Sequence, residues 1–412
     1  MTKAMKKSGV DWVGMIPEEW NVSRLKYIGQ YINGYAFKPE QWGATGRRII
    51  RIQDLTGSND NPNYYDGEID TKYLINNGDI LVSWAATLAA FIWNKGEGLL
   101  NQHIFKATNN PTIVMKDFFF WLIKVAMEYM NNENKHGIVM QHVTLDVFGN
   151  FKIALPPLEE QSKISTFLDI ECSRIDSIIE HTRASIDEYK KLKQSIITEA
   201  VTHGIRGDRP MKDSGIEWVG EIPAEWEVKK LKYVADFVQV KYDASDGNLN
   251  YIGLENITGW NGQYIETSSE YDREQSLICE AGDILFGKLR PYLAKVYISP
   301  KKQCCSGEFA VIRVSGNNRI RFFWYQLISH GFVFMVDRST YGTKMPRANV
   351  DFIKNIGVSV PTITEQDEIV QYLDSKCIEM HRLINSKQQI LIELESYKKS
   401  LIYEYVTGKK EI

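Results

Sequence analysis

The segment Ser8-Gly-Val-Asp-Trp-Val-Gly-Met-Ile-Pro-Glu-Glu-Trp20 decides the organisation of this chain, because it occurs twice. It returns as Ser214-Gly-Ile-Glu-Trp-Val-Gly-Glu-Ile-Pro-Ala-Glu-Trp226, at an offset of 206 residues in a chain of 412. This period is far too long for a solenoid, so each copy is predicted to be a domain-sized unit. We expect approximate two-fold symmetry, which suits a target made of two parts.

Shorter motifs keep the same register, with offsets between 204 and 206 residues. They indicate that the whole second half is a copy of the first. The matching pairs are Gly78–Leu81 with Gly282–Leu285, Glu160–Gln161 with Glu365–Gln366, and Leu168–Asp169 with Leu373–Asp374.

The composition is that of an ordinary globular protein, with 43% hydrophobic and 25% charged residues. The sequence has no run of eighteen apolar residues, and its first residues lack the apolar stretch of a signal peptide, so a cytoplasmic location is predicted. Its five cysteines match neither a disulfide framework nor a Cys-x-x-Cys zinc site. They are expected to be reduced and structural.

The net charge of −3 is unevenly distributed along the chain. Residues 159–201 hold nine acidic and six basic residues, and residues 365–405 hold eight and five. The remainder carries 38 basic and 35 acidic residues and is slightly positive. A nucleic-acid partner is compatible with this balance, because affinity for DNA comes largely from Lys and Arg that neutralise phosphates.

Two long segments have the pattern of helices. Residues 157–203 contain no proline after Pro157 and no glycine, and Gly204 suits the helix end. A helix of this length, ~70 Å at ~1.5 Å per residue, exceeds the width of one domain. The heptad spacing favours a coiled coil of the two helices, with core helices on separate domains as the alternative. If a two-fold axis relates the copies, the helices most simply pair antiparallel. The predicted apolar seam comprises Leu168, Ile175, Ile179, Ile186, Tyr189, Ile196, Leu373, Met380, Ile384, Leu391, Leu394 and Leu401, with polar positions at Thr182, Lys193, Lys387 and Lys398.

The region before each long helix has the sequence pattern of a domain with both strands and helices. Short β-rich runs alternate with turn clusters, and helical stretches follow at residues 116–131 and 319–337. The predicted fold class is α+β, with two tandem mixed α/β domains each followed by a long helix. The predicted boundaries are 1–156 for the first domain, 157–204 for its helix, 205–361 for the second domain with a connector at 205–226, and 362–412 for the second helix.

Motifs for catalysis are absent from the sequence. Neither a Gly-x-x-x-x-Gly-Lys-Ser/Thr loop nor a Gly-x-Gly-x-x-Gly loop occurs, so neither cofactor nor metal is predicted. Asn61–Tyr64 only partly matches an amino-methyltransferase loop, and a turn is the better interpretation. Glu68–Lys72 has the carboxylates and lysine of a metal nuclease, but the second copy has no equivalent segment. A stand-alone nuclease or methyltransferase with a degenerate site therefore stays open, as does a coiled-coil scaffold that binds proteins.

Taken in order, these motifs resemble the specificity subunit of type I restriction-modification systems. The resemblance covers essentially the whole chain and rests on Gly-x-Ile-Pro-x-x-Trp, Gly-Asp-Ile-Leu and the Pro and Glu-Gln residues before each long helix, each present twice. It implies two target recognition domains that each read half of a split DNA sequence, separated by helices that act as a spacer. It also implies partner modification (methyltransferase) subunits, in the number of two, and restriction subunits, which perform the catalysis.

The candidate DNA contacts lie where the two copies differ, because different half-sites require different side chains. In the alignment of the two copies, Ser83–Thr87 corresponds to Phe286–Arg290, and His136–Gln141 corresponds to Tyr341–Pro346. Basic, amide and aromatic side chains at such places can contact base edges, although phosphate contact is the alternative for each. The predicted contacts are Arg47, Arg48, Arg51, Trp84, Gln102, His103, Gln141 and His142 in the first domain, and Lys288, Arg290, Tyr292, Tyr341, Lys344 and Arg347 in the second. The tryptophans at 12, 20, 218 and 226 are predicted to anchor the domain entries.

Overall fold

The computed structural model describes residues 4–58, 61–85, 88–135, 144–243, 247, 249–267, 275–342 and 344–412. The chain forms two compact units. Unit 1 consists of Met1–His181 and Ile390–Ile412, and unit 2 consists of Thr182–Gln389. Each unit therefore contains one mixed domain and a segment of each long helix.

The first half of the chain contains twelve described strands and five described helices, of which the fifth is long. The strands are β1 (Met5–Lys7), β2 (Met15–Pro17), β3 (Asn21–Arg24), β4 (Gly29–Asn33), β5 (Arg47–Ile50), β6 (Asn63–Tyr65), β7 (Leu74–Ile75), β8 (Ile80–Ser83), β9 (Ala89–Ile92), β10 (Gly98–Leu100), β11 (Ile104–Asn109) and β12 (Lys152–Leu155). The helices are α1 (Leu25–Ile28), α2 (Ile52–Thr56), α3 (Lys116–Lys135), α4 (Leu145–Asn150) and α5 (Leu158–Thr202).

The second half contains eleven described strands and four described helices, of which the last is long. Its strands are β13 (Met211–Asp213), β14 (Glu221–Pro223), β15 (Glu227–Lys230), β16 (Ala235–Val238), β17 (Tyr251–Ile252), β18 (Leu277–Cys279), β19 (Ile284–Gly287), β20 (Val296–Ile298), β21 (Gln303–Cys305), β22 (Phe309–Val314) and β23 (Gly357–Val360). Its helices are α6 (Ile320–Ile328), α7 (His330–Arg338), α8 (Val350–Asn355) and α9 (Ile363–Val406).

The antiparallel sheets of the two units have the same strand order, and the second sheets differ only in that β6 has no counterpart among the described strands of unit 2. An antiparallel sheet has the strand order β4-β11-β8-β9 in unit 1 and β16-β22-β19-β20 in unit 2. A second sheet has the order β6-β5-β10-β7 in unit 1 and β17-β21-β18 in unit 2, and each contains one parallel pair. The α+β class is confirmed, and the repeat extends to regions where the two sequences have diverged.

The helical segment that follows the last strand of the antiparallel sheet differs between the units. In unit 1, α3 is continuous over 20 residues. The sequence predicts one helix over 319–337 in unit 2, and this prediction is wrong at Ser329, whose extended backbone (ψ 148°) separates α6 from α7. The Ser329 hydroxyl donates to the Gln326 carbonyl oxygen at 2.7 Å and accepts from the Phe332 amide at 3.5 Å. One serine thus ends the first helix and caps the second.

The repeated tryptophans anchor the domain entries, as the sequence predicts. Trp20 and Trp226 are completely buried, and each indole N–H donates to a glutamate of the following long helix. Trp20 Nε1 lies 3.0 Å from Glu160 Oε2, and Trp226 Nε1 lies 2.9 Å from Glu365 Oε2. In both copies, therefore, the glutamate supplies the hydrogen-bond acceptor that the buried indole N–H needs.

The Gly-Asp-Ile-Leu motif makes the same turn twice. Gly78 and Gly282 have φ values of +87° and +90°, which glycine adopts without steric cost. The carboxylates of Asp79 and Asp283 accept from backbone amides three residues earlier, at 2.8 Å in both units. This motif is structural: it fixes the turn that precedes β8 and β19.

The repeated glutamine joins the start of each long helix to its domain. Gln366 is fully buried, and its Oε1 accepts from the Arg319 amide at 2.8 Å while Nε2 donates to the Pro361 carbonyl at 3.0 Å. Gln161 makes the equivalent bonds, with Oε1 at 2.8 Å from the Met115 amide. Both amides therefore hold the segment that enters α3 or α6 against the long helix.

The two long helices run antiparallel within each unit. In unit 1, Phe167 packs on Tyr405 with ring centroids 4.6 Å apart, and Asp176 pairs with Lys398. In unit 2, Tyr189 faces Lys387 and Lys193 faces His381. The helices also pack on the domains, so the alternatives of coiled coil and domain helix both describe part of the contact. Of the predicted seam, Leu168, Ile175, Ile179, Ile186, Leu373, Met380, Ile384 and Leu401 are buried, while Tyr189, Ile196, Leu391 and Leu394 are half-buried.

None of the helices in the described ranges is both long and apolar enough to span a bilayer.

Candidate nucleic-acid interface

Two loops meet at the end of β19 in unit 2. The Arg290 amide donates to the Pro346 carbonyl at 2.7 Å, and the Ala348 amide donates to the Lys288 carbonyl at 2.9 Å. These bonds set residues 288–292 beside residues 341–347. They bring together all six residues predicted for this domain, named the unit-2 cluster: Lys288, Arg290, Tyr292, Tyr341, Lys344 and Arg347.

The backbone of the unit-2 cluster turns its side chains outward. Arg290 and Ala294 have left-handed conformations, with φ of 49° and 46°, on either side of the turn Pro291–Leu293. Such conformations cost non-glycine residues about 1 kcal/mol or more, and they occur preferentially at binding sites. Tyr292 and Tyr341 are 45% and 65% exposed. The cluster therefore presents two aromatic rings and three cationic side chains to solvent, those of Arg290, Lys344 and Arg347.

The electrostatics of the unit-2 cluster centre on Glu308, which the sequence analysis did not single out. Its carboxylate pairs with Arg347, and its backbone carbonyl accepts from the Lys288 amide at 2.8 Å. Partial burial lowers the pKa of Lys288, and the nearby Glu308 opposes this shift. Glu308 Oε2 is buried without a hydrogen-bond partner among the described residues. Lysine and arginine can supply donors for base edges, and the Glu308 carboxylate orients the Arg347 guanidinium.

The equivalent place in unit 1 carries different chemistry. The Trp84 amide donates to the His103 carbonyl at 3.3 Å, just as the Lys288 amide donates to Glu308 in unit 2. Trp84 and His103 make an edge contact with ring centroids 5.3 Å apart, and Trp84 also stacks near Phe105. Trp84 thus corresponds to Lys288, and His103 to Glu308. A search for counterparts of the predicted unit-1 residues would have found Glu308.

Two more predicted residues, Arg51 and Gln102, lie just after the parallel strands β5 and β10 of unit 1. Ile50 of β5 pairs with Leu100 of β10, so the residues that follow, Arg51 and Asn101, have adjacent backbones. Arg51 Nη1 donates to Asn63 Oδ1 at 3.0 Å, and its guanidinium lies 5.0 Å from the Trp42 ring. The four predicted residues that lie just after the strands β5, β8 and β10 are named the unit-1 cluster: Arg51, Trp84, Gln102 and His103.

The remaining predicted residues of the first domain lie elsewhere. Arg48 Nε donates to Asp54 Oδ1 at 3.0 Å, and this carboxylate is 1% exposed, so Arg48 is committed to a structural ion pair. Arg47 begins β5, at the strand end opposite Arg51. Gln141 and His142 lie outside the described residues.

The candidate nuclease and methyltransferase segments have structural partners. Asp70 accepts from the Lys72 amide at 3.0 Å and caps the turn at Thr71–Tyr73, and its other oxygen pairs with Lys72 Nζ at 3.0 Å. Asn63 and Tyr64 belong to β6 and pair with β5. Across the described ranges, no group of three or more His, Cys, Asp or Glu side chains could hold a metal ion.

Comparison with known proteins agrees with the repeated architecture. The family model of the type I restriction modification DNA specificity domain matches residues 17–188 and 223–396. The MjaVIII specificity subunit of Methanocaldococcus jannaschii is 27% identical over 427 aligned positions, covering 96% of this chain and 93% of the relative. The EcoDI specificity subunit of Escherichia coli is 23% identical, covering 71% of both chains.

Solved structures show the same fold. A chain from a study of complex assembly and conformational transition of the type I R-M system aligns with a TM-score of 0.68 at 18% identity, over 96% of this chain and 99% of its own. The HsdS subunit from Thermoanaerobacter tengcongensis aligns with a TM-score of 0.50 at 18% identity, over 96% and 98%. With a family model matched twice and in order, this chain belongs to the type I restriction-modification DNA specificity family and carries two copies of its domain.

Proposed function

We propose that each unit of this specificity subunit reads one half of a bipartite DNA target, through the unit-1 cluster and the unit-2 cluster. One observation carries the proposal: the two units share their sheet topology, yet different side chains occupy the equivalent loop positions. Trp84 and His103 stand where Lys288 and Glu308 stand. Recognition of two different half-sites requires different side chains in the loops, and these can be carried by the same arrangement of strands.

The chemistry of each cluster suggests which bases it favours. Arg290 and Lys288 can donate to the acceptors on a guanine edge. In unit 1, Gln102 can pair with adenine, and Trp84 offers an apolar face to a thymine methyl. Unit 2 is therefore expected to prefer G·C pairs more strongly than unit 1.

The long helices suit the roles of spacer and docking surface. α5 and α9 contain 45 and 44 residues, or ~65–70 Å at ~1.5 Å per residue. Ile170, Ile378 and Ile392 are 56%, 53% and 61% exposed on these helices. Apolar side chains at such positions support docking of the modification subunits, two in number, and of restriction subunits. Methylation and cleavage then belong to those partners, and the assembly works on DNA in the cytoplasm.

Selection from random-sequence double-stranded DNA tests this function. The chain would be purified with its modification subunit, and the retained DNA sequenced. We expect two fixed blocks separated by unspecified bases, with binding that weakens steeply as salt rises because phosphate contacts release counterions. A scaffold that binds only proteins would return no consensus. Turnover of DNA by the chain alone, with metal ion and methyl donor, would favour a stand-alone enzyme and contradict the proposal.

A further inference from the structure

Unit 2 contains a large cavity between its long-helix segments and its mixed domain. Its volume is about 1170 Å³, which is ample for a small organic ligand. One wall comes from α5, another from α9, and the third from the Gly259–Gln263 loop with His330. The lining carries Lys191, Lys193 and Lys190, the last of which pairs with Asp187, against the single lining carboxylate of Glu199. The cavity is therefore electropositive.

Lys193 lacks the counter-ion that its equivalent has in unit 1. There, Lys398 pairs with Asp176 at 2.5 Å between Nζ and the carboxylate. In unit 2, His381 occupies the position of Asp176, and its Nε2 lies 3.0 Å from Lys193 Nζ. Lys193 is 8% exposed and, among the described residues, has no carboxylate partner. A buried ammonium group is costly unless a negative charge is supplied.

Other polar groups of the cavity are also unsatisfied. Both amide atoms of Gln194 and the hydroxyl of Thr198 are buried and have no hydrogen-bond partner in the described part of the protein. Gln194 follows Lys193, and Thr198 lies one helical turn further along α5. Buried polar atoms in native proteins are usually paired, so three orphans on one wall indicate a ligand that supplies their partners.

The opposite wall is aromatic and strained. Trp260 has a φ of +63°, a rare conformation for a bulky residue, and its carbonyl oxygen lies 3.4 Å from Lys193 Nζ. Its indole stacks on the His330 imidazole, with an interplanar angle of 19° and centroids 6.2 Å apart. Strain of this kind persists where the surroundings fix it and is concentrated at binding sites.

We propose that this cavity binds a small organic anion of the nucleotide class, whose oxyanion takes beside Lys193 the place that Asp176 takes beside Lys398. Gln194 and Thr198 bond the polar groups of the ligand, and its planar ring lies against Trp260 and His330. The cavity lining shares no residue with the unit-1 cluster or the unit-2 cluster. Burial lowers the pKa values of Lys193 and His381, and the anion reverses this effect by favouring their charged forms.

The variant His381→Asp tests the proposal by giving unit 2 the internal counter-ion of unit 1. Thermal unfolding and calorimetric titration of the full chain would use AMP and inorganic phosphate as probes. We expect AMP to raise the midpoint of wild-type unfolding and to bind about tenfold or more tightly to wild type than to His381→Asp, because a charge-assisted bond is lost. Phosphate is expected to compete with AMP.

The control is His181→Asp, the same substitution at an exposed histidine of α5. This variant should bind AMP as wild type does, and selection of DNA by His381→Asp should be unchanged. Absence of any AMP or phosphate effect on wild type would overturn the proposal, as would equal AMP binding by wild type and His381→Asp. Failure of the wild-type chain to select DNA, with AMP binding retained, would instead contradict the proposed function and leave the proposed anion site standing.

Discussion

Lengthening both long helices by one heptad is expected to lengthen the unspecified spacer of the DNA target without changing either half-site. Duplication of Ile175–His181 in α5 and of Leu383–Gln389 in α9 adds the heptads where the two units divide. Seven residues add ~10 Å of helix, or about three base pairs of DNA. A whole heptad also keeps the seam in register. Sequencing of selected DNA measures the spacer and both half-sites in one experiment.

The control for this prediction is the same heptad added to α5 alone. Its seam residues then no longer meet their partners on α9, so the variant should unfold at a lower temperature than wild type or than the double insertion. Half-sites that changed in the double insertion, or a spacer that stayed the same, would show that the helices do not set the distance between the recognised blocks.

Substitution of Arg290 by methionine is expected to relax recognition of one half-site only. If Arg290 bonds a base edge, its loss costs about 1–3 kcal/mol, or roughly five- to 150-fold in affinity for the preferred sequence. Unit 1 has its own sheets and core, so the other half-site should remain as specific as before. Competition between targets altered in one half-site measures the two effects separately.

Lys301→Met is the matched control, because it removes the same charge from an exposed residue of unit 2 outside the cluster. It should leave both half-sites unchanged. If Arg290→Met weakened binding to all sequences equally, Arg290 would be a phosphate contact. If it changed nothing, the unit-2 cluster would not be the reading surface.

The repeated motifs made the fold predictable, because the repeated residues make the same structural hydrogen bonds and turns in both copies. The indole N–H of Trp20 and Trp226 needs a buried acceptor, and the glutamate at the start of each long helix supplies it. The break between α6 and α7 was not predictable, because the apolar pattern continues through Ser329 and only its cap bonds stop the helix.

The candidate site was predictable in position but not in detail. Comparing the two copies located the loops after β8 and β19, where the sequences differ. It could not show that Arg48 is held by buried Asp54, since that pairing depends on how β5 and α2 pack. Nor did it single out Glu308, whose correspondence to His103 follows from strand register.

The polar seam positions illustrate the same limit. The sequence places Lys193 and Lys398 at equivalent points of the two helices. Only the structure shows that one lysine faces a carboxylate and the other a histidine beside a cavity. An equivalence in sequence can therefore hide a difference in charge balance.

We infer that the two domains are interchangeable and that they differ in the DNA half-site that each one recognises. A chain in which residues 21–155 replace residues 227–360 would contain the first domain twice. The exchange joins equivalent strand ends, since Asn21 pairs with Leu155 in unit 1 and Glu227 pairs with Val360 in unit 2. It also preserves a side-chain contact to the long helix, because Trp121 donates to Asp169 where Tyr325 donates to Asp374.

Selection of random DNA by this symmetrised chain, together with the modification subunit, is the most direct measurement. We expect an interrupted palindrome, in which the half-site of unit 1 appears twice in inverted orientation, because a two-fold symmetric protein binds a two-fold symmetric target. Recovery of the original asymmetric target, or of DNA with only one specified block, would contradict it.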